Sequence, residues 1–254
     1  MHISFIGSGN VATHLALAFH NVGHNIVQIF SRNIEHANAL ATTVEAIPVN
    51  QMDSIKHHVD LFFICVPDQF IEDISKQLPS HIPQVHTSGN TSLSQLKGNL
   101  TGVFYPLQTF SKNKQINYAD LNLLLESNNA ETKHNITQLA KDLNSNIHFV
   151  NSSERQKLHI AAVFACNFSN LMVQISEDIL STNQLDSKLL LPLIQETTNK
   201  LYTMSAKEAQ TGPAIRGDYN TINTHKSLLK ECSPSVQNIY EVLTKEIQKR
   251  HGKL

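Results

Sequence analysis

Residues 2–12 restrict what this chain can fold into more than any other stretch does. A short β-rich run, His2–Ile6, passes through Gly7-Ser8-Gly9 straight into a helical pattern, so that Gly7-Ser8-Gly9-Asn10-Val11-Ala12 reads G-x-G-x-x-A. In such a connection Gly7 allows the tight turn, Gly9 lets a ligand approach the backbone, and Ala12 lets helix and strand pack closely. Glycine is otherwise scarce: nine occur in 254 residues, where average usage of about 7% would give roughly 18. Their placement is therefore informative, and two fall in this loop.

Beyond this loop strand and helix patterns keep alternating. β-rich runs recur at Ile26–Phe30, Ala46–Val49, Leu61–Val66, Gln84–His86, Gly102–Tyr105, Leu121–Leu125 and Ile147–Val150. Helical patterns separate several of them. Val11–Val22 carries Val11, Leu15, Ala18 and Phe19 on one face, Ile34–Thr43 carries Ile34, Ala37, Leu40 and Ala41, and Ala130–Leu143 follows the same rule. Strands alternating with helices predict βαβ units and a mostly parallel sheet covered on both faces. The unbroken apolar run Leu61–Val66 suits a central strand buried on both sides. Residues 1–150 are thus expected to form a doubly wound α/β domain.

After Asn151 the period changes. Ser153 followed by Gln156 reads as a capping box, and Leu158, Ala161, Ala165, Phe168, Met172, Ile175 and Ile179 recur at helical spacing. Further helices are expected at Lys188–Leu201, Tyr219–Glu231 and Pro234–Arg250, the last with Ser233 as N-cap and Pro234 in its first turn. Residues 151–254 are expected to form an all-α domain.

Composition excludes several classes of function. Twenty basic against 21 acidic residues leave no electrostatic footprint for nucleic acid. The longest uninterrupted apolar runs, Leu61–Val66 and Ile160–Cys166, fall far short of the ~20 residues of a membrane span. No secretory leader is visible, and Cys65, Cys166 and Cys232 are too scattered for a disulfide framework; buried structural thiols and a cytosolic location are expected. Fourteen histidines show no zinc spacing, so no metal is expected.

The candidate ligand sites lie where this architecture places them. At Gly7, Ser8, Gly9, Asn10 and Val11 the helix start points free N–H groups and its positive dipole end at a dinucleotide's phosphates. The second strand ends in Ser31-Arg32-Asn33 without the acid that an NAD site uses on the ribose. Arg32 offers a fork for a 2′-phosphate and its neighbours neutral donors, so NADP is the expected cofactor. Val66 and Pro67 close the central strand, and Ser88 and Gly89 the next; all four should flank the nicotinamide ribose. On the long helix, His159, Asn167 and Asn170 form a polar line that is costly unless it meets partners or a cleft. His159 is the candidate general acid or base, with Asn167 orienting the substrate. Arg216 stands between Gly212 and Gly217 as a clamp for an anionic substrate group, while Asp218 binds substrate or caps the next helix.

Taken with the first loop, three further segments resemble a family of bacterial Rossmann-like oxidoreductases that carry a C-terminal helical domain of unknown function. They are Gly102–Phe110, His159–Phe168, and Thr211-Gly212-Pro213 through Arg216-Gly217-Asp218, and the likeness spans nearly the whole chain. More distantly the architecture looks like pyrroline carboxylate reductase, 3-hydroxyisobutyrate dehydrogenase and 6-phosphogluconate dehydrogenase. The resemblance implies an NADP-type oxidoreductase, dimeric through its helical domains, with the active site between the two domains; the expected reaction is hydride transfer to or from a small C=O or C=N compound. Two departures prevent transfer of a specific activity. Lys157 is not followed by Asn at the spacing of the hydroxyacid enzymes, and the Gly-rich segment of pyrroline carboxylate reductase is missing. A non-catalytic NADP-binding sensor or scaffold is the alternative, and a deazaflavin coenzyme is a further variant.

Overall fold

The computed structural model describes residues 1–112 and 114–253 and falls into two compact units, Met1–Cys166 and Asn167–Leu254. The first is built on an eight-stranded sheet: β1 (His2–Ile6), β2 (Asn25–Phe30), β3 (Ile47–Val49), β4 (Leu61–Ile64), β5 (Gln84–His86), β6 (Thr101–Pro106), β7 (Asn122–Ser127) and β8 (Asn146–Phe149). Their order is β3-β2-β1-β4-β5-β6-β7-β8. All neighbours are parallel except β6 and β7. Strand order reverses between β1 and β4, which opens a crevice at the carboxyl ends of those strands, the place where doubly wound sheets bind ligands.

Alternation within the strands divides the core. Phe5, Leu61, Phe63, Val85 and Phe104 face one side and pack with α1 (Asn10–Asn21), α2 (Ile34–Thr43) and α4 (Ala130–Asp142). Ile6, Phe62 and Ile64 face the other, over α3 (Ile71–Gln77). Phe5 stacks on Phe63 with ring centroids 5.1 Å apart, and Phe19 and Phe104 complete the cluster. Burying each such ring is worth about 1.5–3 kcal/mol. Pro48 lies in β3, an edge strand, where the missing N–H costs no central ladder bond.

The first unit continues past α4 into α5 (Ser152–Ala162). It therefore ends inside the long helical stretch rather than at Val150, because the start of α5 is bonded into the α/β core. The capping box also differs from the expected Ser153–Gln156 pair. Asn151 caps the Glu154 amide and Glu154 returns to the Asn151 N–H. Gln156 instead donates to the Asn90 carbonyl at 2.6 Å.

The helix does not run on as one α-helix, for Val163–Phe168 forms a π-helical turn. The second unit holds α6 (Ser169–Thr182), α7 (Leu191–Lys200), the short α8 (Ala206–Ala209) and α9 (Pro213–Arg216), α10 (Tyr219–Leu228) and α11 (Pro234–Arg250). Among its described residues only Ala214 and Ile222 are buried hydrophobics, while Leu189, Leu193, Tyr202 and Leu228 are each more than 60% exposed. Cys166, expected to be buried, is exposed.

The run Ser152–Thr182, 31 residues with a mean hydropathy of 1.4 in its best window and none of that window buried, is long and apolar enough to cross a membrane by length and composition. Counting uninterrupted apolar residues misses it, since Asn167, Asn170 and Gln174 break the run without removing its hydrophobicity. Its beginning is nonetheless tied into the first unit by the buried Arg155.

Candidate functional site

The loop after β1 is held by sterics before any ligand is considered. Gly7 has φ +125°, and a Cβ on it would lie 2.2 Å from the Cys65 carbonyl oxygen. Its N–H donates to the Phe30 carbonyl at 2.8 Å, which draws the ends of β1, β2 and β4 together. Around Gly9 a Cβ would meet nothing within 4 Å. Gly9 is the N-cap of α1, no side chain caps it, and the first turn carries no acid. The helix thus presents unoccupied donors and an uncompensated positive end.

A cavity of about 420 Å³ opens over this loop, lined among others by Gly7, Ser8, Gly9, Ser31, Arg32 and Pro67. Val66 and Cys65 complete its β4 side; burial pushes the Cys65 thiol up to about 12, which keeps it an inert wall. Arg32 makes no ion pair among the described residues and sits 5.1 Å from the centroid of the Phe70 ring, also in the wall. Its charge is available to an anion. Asn33 is placed differently, since its side-chain oxygen accepts from the Glu35 N–H at 2.9 Å and caps α2. Asn10, the first residue of α1, donates its side-chain amide to the Phe110 carbonyl at 3.0 Å, and Phe110 lies against the His14 ring.

A second cluster forms where β5, β6 and α5 meet. His86 Nδ1 accepts from the Ser88 N–H, and Ser88 Oγ accepts from the amides of Asn90 and Thr91, so the turn carrying Ser88 and Gly89 is internally braced. Above it the Tyr105 hydroxyl and His159 Nδ1 are hydrogen-bonded at 2.9 Å. A Cβ at Gly89 would lie 2.6 Å from His159 Nδ1 and 2.8 Å from the Tyr105 ring, so glycine is the residue that leaves room for the pair. His159 Nε2 makes no hydrogen bond among the described residues. Burial pushes the Tyr105 phenol above its ordinary value, with the nearby Arg155 opposing. Sequence reasoning does not single out Tyr105: inside Gly102–Phe110 it is one more apolar-looking strand residue.

Arg155 locks this corner. It is fully buried, paired with Glu126, and donates to the Thr91 carbonyl at 2.6 Å and to Ser152 Oγ at 3.2 Å. Its Nε has no partner among the described residues. Arg155 carries no periodicity or motif signal in the sequence, because a charged residue one position off an apolar seam reads as solvated.

The remaining candidates lie beyond Ala162. Asn167 falls in the π-turn and Asn170 on α6, both exposed. The expected polar line with His159 takes 100° per residue throughout, whereas Val163–Phe168 is π-helical. Arg216 ends α9 exposed and makes no ion pair among the described residues. Gly217 takes φ +69°, the left-handed helix-ending geometry, so backbone shape accounts for it without a ligand. Asp218 caps α10, accepting from the Thr221 N–H at 3.1 Å and hydroxyl at 2.7 Å. Among the described residues no group of three or more His, Cys, Asp or Glu is arranged to hold a metal ion.

Comparison with known proteins agrees with this anatomy. Residues 2–87 match a family model described as NADP oxidoreductase, coenzyme F420-dependent, and residues 122–247 match a domain of unknown function, DUF2520. No curated protein matches. A Bacteroides fragilis protein described as a "putative NADP oxidoreductase" is 34% identical, with 98% of each chain covered and a TM-score of 0.91. An imine reductase from Myxococcus stipitatus, solved with NADP+, shares the fold at 16% identity and TM-score 0.70, over all of this chain and 96% of its own. So does 1-pyrroline-5-carboxylate reductase from Streptococcus pyogenes, at 16% identity and TM-score 0.64, with 98% of each chain covered.

Proposed function

We propose that this chain, which belongs to the family of the Bacteroides fragilis protein and itself matches an NADP-oxidoreductase model and DUF2520, is an NADP(H)-dependent oxidoreductase. It moves a hydride to or from a small C=O or C=N compound. The observation that carries the reading is the open cradle at the sheet's reversal point, with an uncapped helix start, Gly7 pressed on the Cys65 carbonyl, and on its wall an Arg32 without an ion pair among the described residues. Gly7, Ser8, Gly9, Asn10 and Val11 would hold the diphosphate, and Ser31 and Arg32 the 2′-phosphate. When bound, the cofactor supplies or accepts the hydride. His159, whose Nε2 is open, supplies or removes the accompanying proton.

Calorimetry of NADPH against NADH tests this. Charge-assisted hydrogen bonds contribute about 1.5–3 kcal/mol, so Arg32→Ala is expected to weaken NADPH by about 10–100-fold and leave NADH nearly unchanged. Equal affinities untouched by the substitution would remove the NADP assignment. Tight NADPH binding with no substrate-dependent oxidation across a broad metabolite panel would replace the enzyme by a sensor.

The same reading includes a second copy of the chain. The described buried hydrophobics of the helical unit are Ala214 and Ile222, while Leu189, Leu193, Tyr202 and Leu228 face out, and exposed apolar surface of this kind marks interaction sites where it is contiguous. A homodimer through the helical unit covers it. Sedimentation at micromolar concentration should give twice the chain mass; a monomer there would exclude this part of the proposal.

A further inference from the structure

We propose that Tyr105 is the positioning partner of His159, donating its hydroxyl proton to Nδ1 so that the imidazole presents an N–H, not a lone pair, at Nε2. The catalytic meaning of this inference rests on the acid–base role of His159 given above; its structural content does not. The 2.9 Å contact fixes which atoms meet, and the chemistry of the two groups decides the direction. A phenol is a good donor and, with its oxygen lone pairs drawn into the ring, a poor acceptor. A neutral imidazole carries one accepting and one donating nitrogen, and binding at one fixes the other. Desolvation of Tyr105 favours the protonated phenol further. Gly89 completes the device. With the rings 5.8 Å apart and nearly perpendicular, a methyl group at Gly89 would strike both members of the pair at once.

A donor at Nε2 selects the substrate. The reacting atom must offer a lone pair, as a carbonyl oxygen or a neutral imine nitrogen does, and a protonated iminium, which has none, is disfavoured. In the reductive direction the carbon takes hydride from the reduced nicotinamide and the oxygen or nitrogen takes the Nε2 proton. The Tyr105 proton then passes to Nδ1. The phenolate left behind lies within the field of the buried Arg155 guanidinium; after the product leaves, Nε2 takes a proton from water and the Nδ1 proton returns to the phenolate, so one hydride and one proton are delivered and the protein returns to its starting state.

The test is a long-range 1H–15N correlation spectrum of 15N-histidine-labelled protein above the imidazole titration, with the His159 signals identified by their loss in His159→Asn. The wild type is expected to show a single tautomer with Nδ1 bare and Nε2 protonated. Tyr105→Phe keeps the ring and removes the donor, and should give a tautomer mixture. Gly89→Ala keeps the donor and displaces the pair, and should do the same. Turnover in Tyr105→Phe should fall by about 10–100-fold, the size seen when a metal-bound histidine loses its outer hydrogen-bond partner, with NADPH affinity unchanged. A wild-type His159 protonated at Nδ1, or a tautomer indifferent to Tyr105→Phe, overturns the proposal. A locked Nε2–H tautomer in a protein without turnover would leave the positioning intact and overturn the acid–base reading instead.

Discussion

His159→Asn is expected to lower turnover by about 10²–10⁴-fold, the range for removing a positioned acid or base, while NADPH affinity stays within twofold of wild type, roughly 0.4 kcal/mol on the affinity scale. Asparagine keeps a polar group of similar reach, so the rest of the corner should survive. Its amide cannot pass a proton between two nitrogens, and it leaves the Tyr105 hydroxyl without an imidazole partner. Because His159 does not line the cavity over the loop after β1, the loss should fall on kcat rather than on cofactor binding. Steady-state kinetics with a substrate found by screening, run beside calorimetry, separates the two. Turnover equal to wild type would exclude His159 as the proton carrier, and a parallel loss of NADPH binding would mean that the substitution had disturbed the fold.

Arg155→Met should be the most damaging single change to stability. Taking one partner from a buried ion pair costs about 3–5 kcal/mol, since the other charge is left uncompensated. Here the Thr91 carbonyl and Ser152 Oγ lose a donor as well. Methionine approximates the volume of the arginine stem, which keeps the cavity term small. Urea unfolding at neutral pH measures the loss; a change under about 1 kcal/mol would show that the pair only fills space. Adding Glu126→Gln should recover part of the loss by removing the stranded carboxylate.

The pH dependence is specific too. Burial, aided by the charge of Arg155, holds the His86 imidazole down to about 3, against about 6.5 in an unfolded chain. Between those values the unfolded state binds the proton and the native state does not, so this contribution is complete above about pH 6.5 and is lost as pH falls toward 3. Without Arg155 the folded His86 titrates at a higher pH and the sloping region narrows from its acid end.

The sheet and the cradle were legible because their signals are local. β-strand period, the glycine spacing and the missing acid after Phe30 are all read within a dozen residues, and Ile34–Thr43 and Gln84–His86 came out as expected to the residue. The corner at Gly89 was half visible. Gly89 and His159 each stand out in the chain, but no local pattern joins His159 to a tyrosine 54 positions away. The π-turn was invisible, since Val163–Phe168 has a composition that continues an α-helix equally well. Asn33 and Asp218 show a different limit. A polar residue at a helix start serves the backbone first, and only the structure shows whether any hydrogen-bonding capacity is left over.

The sparse interior of the helical unit has a consequence for the chain's thermodynamics. On the dimeric reading, folding of that half and encounter with another molecule form one equilibrium, so dilution acts as a denaturant and no melting temperature has meaning without the concentration at which it was taken. On the same reading the α/β unit, with its own two-sided core, would be free of that dependence, and the two halves of one polypeptide would respond differently to nothing more than how much of the protein a cell makes.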